Sequence, residues 1–525
     1  MDPAPIFLIG FMAAGKSTVG PMLAERLGRR WVDLDARVEA EAGRRIPAIF
    51  EAEGEMGFRR REAAALERAA REPGVVVSCG GGAPGFGDNR RRMRATGVTA
   101  SLLVGFDEVM ARAGSDTSTR PLLSAGRASA ERLFQERQEI YRSADVSVDT
   151  SGRTPQSLAD ELARRLPLHL GDIGLRLPDS SSPIHLAPLA RAGELCAELL
   201  PEARTVALVS DENVAAAGHL TAAAAGLTGI GVKTVEIVIA PGEASKTLAE
   251  VERIAGACVA GGLDRKSAIV AIGGGVVGDL AGFVAAILYR GIACAQLPTT
   301  LLAMVDSAIG GKTGVDLAAG KNLAGAFWQP RFVLSDAATL RTLAPRELTA
   351  AWAEVLKYGL IGDAELFAEL EAGGAPESAE ELGRIVARCA AHKARVVAAD
   401  ERETLGLRAV LNLGHTVGHA VERASEYRLL HGEAVAVGLV AAAEVSVKLG
   451  LAPAGLDGRV AAALRRCGLA ADLDPWRRRE IIDMTAVDKK RQAGKLRFIA
   501  LTEVGRTQPV ELGVDQLAAL LEARS

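Results

Sequence analysis

The sequence predicts an α/β chain in three parts: a phosphate-loop domain with a parallel sheet at residues 1–167, an α/β nucleotide-binding domain at 168–344, and an all-helical domain at 345–525. Three observations carry this reading. An apolar strand near the start runs straight into a Gly-x4-Gly-Lys-Ser loop. Later, short β-like runs such as Thr205–Val209, Thr234–Ile239 and Ala268–Ile272 alternate with Ala-rich helical stretches, the pattern of a mainly parallel sheet. Beyond about residue 345 the strand signals fade, and Ala-rich segments bearing Glu and Lys at helical period dominate to about 480. Between about 167 and 188 a Pro- and Ser-containing stretch reads as a junction.

The length of 525 residues suits three or four domains at roughly 100–200 residues each. A formal charge of −3 excludes the basic field expected of a nucleic-acid binder. The six cysteines are scattered and form no Cys-x-x-Cys pair, which argues against a disulfide framework or a cysteine zinc site and fits a reducing cytoplasm. The first residues, MDPAPIFLIGF, lack the charged start and cleavage site of a signal peptide. Apolar stretches such as Ala434–Val447 are broken before the ~20 residues of a membrane span. A soluble cytoplasmic protein is expected.

In the first part the strand Ile6–Ile9 leads into Gly10-Phe-Met-Ala-Ala-Gly15-Lys16-Ser17-Thr18. Such a loop wraps backbone N–H groups around phosphate oxygens, places Lys16 on the β/γ-phosphates and Ser17 on Mg²⁺, and starts a helix whose positive end faces the anion. Val32-Asp33-Leu34-Asp35 puts two carboxylates at a strand end. One can hold Mg²⁺ through water, and the other can take the proton of an attacking hydroxyl. The bland alternative is that Asp35 merely caps a helix. Gly80-Gly81-Gly82 follows the strand Val75–Ser78 and admits a ligand close to the backbone. Arg59, Arg120 and Arg137 add guanidiniums, whose planar fork suits a carboxylate. Each alone reads as surface charge; beside a phosphate loop they predict an anionic substrate.

The segments GFMAAGKST, DLD, GEMGFRRRE, SCGGGA, RPLL and ERQEIYRSAD resemble the shikimate kinases in order and spacing, over about residues 4–165. The resemblance implies a nucleoside-monophosphate-kinase-like fold using ATP and Mg²⁺. It implies shikimate held by Asp35, Arg59, Gly81, Gly82 and Arg137, with Asp35, Lys16 and Arg120 catalytic. Gly10, Gly15, Lys16, Ser17 and Thr18 would lie on the nucleotide, Ser17 and Asp33 would serve Mg²⁺, and Arg120 would reach ATP from a lid around Arg112–Arg120. Ala13 stands where the family often has Gly, which tightens the loop if that position needs φ > 0; a modest effect on nucleotide affinity is expected. A regulatory module that binds nucleotide without chemistry is the rival reading, and the intact DLD pair and arginines speak against it.

In the second half, Gly273-Gly274-Gly275-Val-Val-Gly278-Asp279 follows the strand Ala268–Ile272. This glycine turn is suited to a pyrophosphate but does not match Gly-x-Gly-x-x-Gly. Glu243 and Lys246 offer a carboxylate near a lysine, and Asp211 and Asn213 end an earlier strand. Of seven histidines, His415 and His419 lie four apart on a helical pattern and share a face. Spacing alone nominates this pair as zinc ligands, against even odds of a plain core face. Glu354, an acid inside an apolar helix, needs a partner. Cations gather in loops between these motifs: Arg290, Lys312, Lys321, Lys357, Lys393, Arg408 and Lys489.

The run GGGVVGDLAGFVAAILYRGI and the later QLPTTLLAMVDSAIGGKTGVDLAAGKNLAGAFWQP resemble 3-dehydroquinate synthase, over about residues 169–520. The resemblance replaces the spacing-based ligand pair. It implies a metal, Zn²⁺ or Co²⁺, on Glu354, His415 and His431, with His419 near the substrate phosphate. NAD⁺ would contact Asp211, Asn213, Glu243, Lys246, Gly274, Gly275, Asp279, Thr299 and Thr300. Substrate would meet Asp306, Lys312, Lys321, Asn322, Lys357, Lys393, Arg408, His419 and Lys489, with Lys312, Lys357 and His419 catalytic. Arg290 would reach a partner subunit's site, implying a homodimer. The implied reaction converts 3-deoxy-D-arabino-heptulosonate 7-phosphate to 3-dehydroquinate with phosphate release and no net oxidation. The loop before Arg408 is one residue longer than the family's, which puts the substrate-side acid Glu403 in question. Rival readings are a related sugar-phosphate cyclase and a metal-dependent polyol dehydrogenase. The phosphate-facing lysines and GGKTGVD favour a cyclase. No membrane or nucleic-acid partner is expected.

Overall fold

The computed structural model describes residues 2–113, 127–485 and 495–522. The chain divides into two units, Met1–Ile184 and His185–Ser525.

In the first unit the strands β1 (Ile6–Gly10), β2 (Arg30–Asp33), β3 (Val75–Ser78), β4 (Val98–Leu103) and β5 (Val146–Asp149) form a sheet of order β2-β3-β1-β4-β5. Every pairing is parallel. Strands β1 and β3 are buried along their whole length, which is why they read as unbroken apolar runs. The register pairs Leu8 and Asp33 with Ser78, so the loops that follow β1, β2 and β3 emerge at one sheet edge. Ligands of open parallel sheets bind at such an edge. The predicted junction is ordered. The helix Pro155–Leu170 runs through Pro167, and β6 (Ile173–Arg176) then pairs antiparallel with β7 (Ser181–Leu186).

The second unit contains β8 (Thr205–Asp211), β9 (Lys233–Ile239), β10 (Ala268–Gly273), β11 (Ala293–Pro298), the hairpin β12 (Lys312–Leu317) and β13 (Gly320–Phe327), and β14 (Val333–Ser335). The parallel order is β14-β11-β10-β8-β9. A helical part follows, from Pro345–Gly362 onward, as expected. It closes with an antiparallel pair that the faded strand signal did not show, β15 (Lys495–Glu503) with β16 (Arg506–Gly513).

The helix His431–Lys448 is buried on all sides from Ala434 to Ser446, the character of a core helix rather than an amphipathic one. Small residues set its crossings. A side chain at Gly432 would put its Cβ 1.9 Å from the carbonyl oxygen of Ala350, and one at Gly438 would lie 2.0 Å from that of Gly414. Backbone contact at these points draws together the helices Pro345–Gly362, His415–Ala424 and His431–Lys448, which carry Glu354, His415 and His431. No helix among the described residues is long and apolar enough to cross a membrane.

Candidate active sites

At the sheet edge of the first unit, the loop after β1 ends at Gly15, whose φ of 96° starts the helix Lys16–Arg26. Gly10 also has positive φ, and Thr18 N–H donates to the Gly15 carbonyl in the first turn. Lys16 Nζ donates to the carbonyls of Gly10 and Phe11, both at 2.9 Å, which arches the loop around its ammonium. Ala13 has φ 59°, so the position does require the left-handed conformation that a Cβ disfavours.

Ser17 Oγ donates to Asp33 Oδ2 at 2.9 Å, and Asp33 Oδ1 accepts from Ala36 N–H at 3.1 Å. Asp33, not Asp35, is therefore the helix cap. Asp35 is left for other work, and its Oδ1 is buried with no hydrogen bond among the described residues. Burial, then the charge of Asp33, raises its pKa above the ordinary carboxylate value.

Beside it, buried Arg59 donates to Glu62 at 2.7 Å and to Glu55 at 3.3 Å. Glu62 is fully buried, with Oε1 unbonded. A Cβ at Gly80 would lie 2.3 Å from that oxygen and 3.0 Å from Asp35 Oδ1, and one at Gly82 would lie 2.4 Å from Arg59 Nη2. The triple glycine thus seats a backbone loop directly on the charged groups. Tyr141 donates to the Gly81 carbonyl at 2.6 Å, and Arg137 is hydrogen-bonded to Tyr141. Arg120 lies outside the described residues.

Sequence reading missed Glu62 and Tyr141. Each stands three or four residues from a nominated arginine, the spacing of neighbours on a helix face.

In the second unit, β10 is wholly buried and delivers Gly274 to the start of the helix Gly275–Ile287. A Cβ at Gly274 would meet the Thr300 side chain at 3.2 Å, and one at Gly275 would meet Ser307 Oγ at 3.0 Å. Buried Thr299 ties its N–H to the Gly273 carbonyl at 3.0 Å. Asp211 ends β8 on the same edge and caps the short helix that holds exposed Asn213. Buried Lys246 Nζ lies 2.9 Å from Asp279, 2.5 Å from Asn322 Oδ1 and 3.6 Å from Glu243. Burial outweighs Lys246 and pushes Asp279 up to about 6.

In the helical part, His415 Nε2 and His431 Nε2 lie 3.4 and 3.6 Å from the same oxygen of Glu354. Glu354 is fully buried, and neither of its oxygens accepts a hydrogen bond among the described residues; Lys357 pairs with one of them. Burial lowers His415 to about 3, which keeps it a neutral imidazole. Burial acts the same way on His431, yet Glu354 and Glu422 outweigh it and raise the group to about 9. Two imidazoles and a buried carboxylate whose donor atoms lie within 4.8 Å of one another fit a divalent metal with a position left open. The pair nominated by spacing alone is corrected. His419 is exposed, and its donor atom groups with those of Glu422 and His431, not Glu354.

Cations line the next layer. Asp306 accepts from Lys393 at 2.8 Å and from Tyr358 at 3.0 Å. Burial would raise its pKa, but Lys393 and Lys357 hold the carboxyl well below the usual range. Arg408 is buried, donates to the Glu401 carbonyl at 2.7 Å, and keeps Nε unbonded. Glu403 joins Lys312 at 2.5 Å and stands 3.5 Å from Arg408, so the longer loop still brings this acid to the cations. Lys321 meets Glu422 at 2.8 Å. Arg290 is exposed in a turn at φ 68°, and Lys489 lies outside the described residues. Tyr358 and Glu422 are the groups the sequence reading missed here.

Comparison with known proteins assigns the parts. The shikimate kinase family profile matches residues 12–167. The 3-dehydroquinate synthase N-terminal and C-terminal profiles match residues 236–350 and 351–491. The 3-dehydroquinate synthase of Symbiobacterium thermophilum is 47% identical over 343 residues, covering 62% of this chain and 92% of that protein. Among solved structures, 2-deoxy-scyllo-inosose synthase complexed with carbaglucose-6-phosphate, NAD⁺ and Co²⁺ is similar at 28% identity and TM-score 0.58, over 65% of this chain and 96% of that one. The 2-epi-5-epi-valiolone synthase of Streptomyces hygroscopicus subsp. jinggangensis, with NAD⁺ and Zn²⁺ bound, is similar at 27% identity and TM-score 0.58, over 65% and 95% of the two chains.

Proposed function

We propose the following division of labour for a chain that belongs to the 3-dehydroquinate synthase family and carries a shikimate kinase domain ahead of the synthase. The first unit phosphorylates shikimate from ATP with Mg²⁺. The second converts 3-deoxy-D-arabino-heptulosonate 7-phosphate to 3-dehydroquinate and phosphate. The observation that carries the second assignment is the buried Glu354, paired with Lys357 and facing two imidazoles, beside Lys393 and Arg408.

In the kinase, the loop backbone and Lys16 hold the nucleotide phosphates, while Ser17 and Asp33 serve Mg²⁺. Arg59 and Arg137 hold the substrate carboxylate, Gly81 and Gly82 face the ring, and Asp35 takes the proton of the attacking hydroxyl. Arg120 is assigned to ATP by the family resemblance. Ala13→Gly is expected to lower the KM for ATP by up to about fivefold, because about 1 kcal/mol at most of the roughly 1–2 kcal/mol cost of a left-handed residue differs between the free and the nucleotide-bound loop. An unchanged KM in steady-state assays would show that the strain does not reach the nucleotide.

In the synthase, Glu354, His415 and His431 hold Zn²⁺ or Co²⁺, and the edge after β10, with Asp211, Asn213, Glu243, Lys246, Asp279, Thr299 and Thr300, holds NAD⁺. Bound there, the metal would supply Lewis acidity at the substrate hydroxyls, and NAD⁺ would supply an acceptor that takes a hydride from the substrate and returns it. The chain's own residues do the rest. Lys312, Asn322, Lys393, Arg408 and His419 receive the phosphate and carboxylate, with Lys489 assigned to the same task by resemblance. Asp306 anchors Lys393, and Lys357 balances Glu354 and Asp306. Glu403→Gln is expected to change the synthase KM by up to about fivefold, the effect of a half-exposed pair worth at most ~1 kcal/mol. Identical kinetics would mark Glu403 as a bystander.

A homodimer belongs to the same reading. The turn of Arg290 is packed against Trp328, beside a hairpin that exposes Leu323 and Phe327. Exposed apolar groups of this kind suit a second copy. Sedimentation equilibrium at assay concentrations is expected to give twice the chain mass; the mass of one chain would remove Arg290 from any partner's site. Cytoplasmic location is supported by six unpaired, buried cysteines.

The deciding experiment follows phosphate release from 3-deoxy-D-arabino-heptulosonate 7-phosphate and from sedoheptulose 7-phosphate in parallel, with ADP formation on shikimate. Release from the first alone, without net NADH, is expected. Release from the second alone would make this half a related cyclase, the reading that the 47% identical relative supports less.

A further inference from the structure

Glu422 has no part in the assignments above, yet it is buried and touches two elements at once. It lies on the helix His415–Ala424, seven residues after His415 and on the same face. Its Oε2 lies 3.5 Å from His431 Nδ1, and its Oε1 accepts from Lys321 Nζ at 2.8 Å. Lys321 belongs to β13, next to the Asn322 that bonds Lys246. The same ammonium stands 3.8 Å from Glu243 and 4.5 Å from the centre of the Tyr427 ring. The two histidines that face Glu354 are therefore supported differently. His415 Nδ1 meets the Leu413 carbonyl at 3.2 Å, whereas His431 Nδ1 meets a carboxylate that is itself held.

We propose that Glu422 is a positioning residue of the metal centre. It keeps the His431 proton on Nδ1 and turns Nε2 toward the metal, and Lys321 holds it there from the nucleotide-binding part of the unit. The inference rests on the assignment of Glu354, His415 and His431 to the metal. A carboxylate on the far ring nitrogen fixes tautomer and ring orientation and raises ligand basicity. A competing role is open to the same residue, since donor atoms of His419, Glu422 and His431 lie within 4.8 Å of one another and could take a second cation. The Lys321 ammonium already sits on a Glu422 oxygen, which favours the positioning role.

The test measures Zn²⁺ affinity of the metal-free full-length chain by competition with a chromophoric chelator, alongside the visible absorption of the Co²⁺ form. Glu422→Ala is expected to bind Zn²⁺ about 10–100-fold more weakly and to alter the Co²⁺ bands. Glu422→Gln, whose amide oxygen still accepts from Nδ1–H, is expected between that variant and wild type. Lys321→Met is expected to weaken Zn²⁺ severalfold without touching any metal ligand. Thermal unfolding of the metal-free chains separates a folding defect from a lost contact, and the isosteric Gln variant carries the test if the Ala variant does not fold. Wild-type affinity in both Glu422 variants, with binding lost in Glu354→Gln, would overturn the role of Glu422 alone. Binding retained in Glu354→Gln would overturn the metal assignment beneath it. Two Zn²⁺ per wild-type chain would make Glu422 a ligand and overturn its role as a positioning residue.

Discussion

Glu354→Gln is expected to lower the synthase rate about 10³-fold, from loss of about 4 kcal/mol of charge stabilisation at the metal, while the shikimate kinase rate of the same chain stays unchanged. Three features set the size of the effect. Glu354 is fully buried, so solvent does not replace it. Among the described residues it is the one carboxylate that both His415 Nε2 and His431 Nε2 approach. Its negative charge also balances Lys357, which is buried as deeply. Gln keeps the volume but removes the charge, so metal affinity falls and Lys357 is left with Asp306 as its remaining carboxylate neighbour. Part of the loss will appear as stability, because breaking a buried pair costs about 3–5 kcal/mol. Zn²⁺ content of the purified protein, phosphate release and ADP formation measured on one preparation separate these effects. A synthase rate within threefold of wild type would remove Glu354 from the metal. A kinase rate that falls in step would show that the two units do not work independently.

What the sequence made legible, and what it hid, follows from how far apart the cooperating residues lie. The phosphate loop was legible because strand, glycines, lysine and helix start are consecutive. The two parallel sheets were legible because strands buried on both faces read as continuous apolar runs, as in β1, β3 and β10. The metal centre was legible only in part. His415 and His419 share a helix face, so spacing favoured them, but His431 comes from another helix, brought in by the backbone contact between Gly432 and Ala350. Nothing in the spacing of His415 and His431 encodes that crossing; only the family resemblance nominated His431. Glu62 and Glu422 were hidden for a different reason. Acids in arginine-rich or polar helix segments ordinarily face water, and only burial against Arg59 in one case and Lys321 in the other gives them a role. The pair β15–β16 follows a stretch whose helical period dominated the reading. The bland alternative, a cap by Asp35, could not be removed from sequence because Asp33 and Asp35 both stand at a strand end, and only the Ala36 N–H bond to Asp33 tells them apart.

Asp35→Asn is expected to lower the kinase rate about 10²–10⁴-fold, the contribution of a general base, and at the same time to stabilise the first unit. Both effects have one cause. The carboxylate is buried with an unbonded oxygen, beside Asp33 and Glu62, so its charge is costly to the fold and available to a substrate proton. Its pKa is raised in the folded state, by burial first and then by Asp33. The folded chain therefore binds this proton more readily than the unfolded one. Stability falls as pH rises from the ordinary carboxylate value through the raised folded value, and stays lower above it. The gain from Asn is accordingly absent in acid, where Asp35 is protonated in both states, and full at neutral pH. It would be read as a rise in Tm of about 2–4 °C for each kcal/mol relieved in a domain of this size. Melting curves at several pH values, with ADP formation on shikimate, test the two together. A lost rate with no gain in Tm at neutral pH would mean that Asp35 is paired in the folded enzyme. A gain in Tm with the rate intact would place the base elsewhere and leave Asp35 as a costly buried carboxylate beside Arg59 and Glu62.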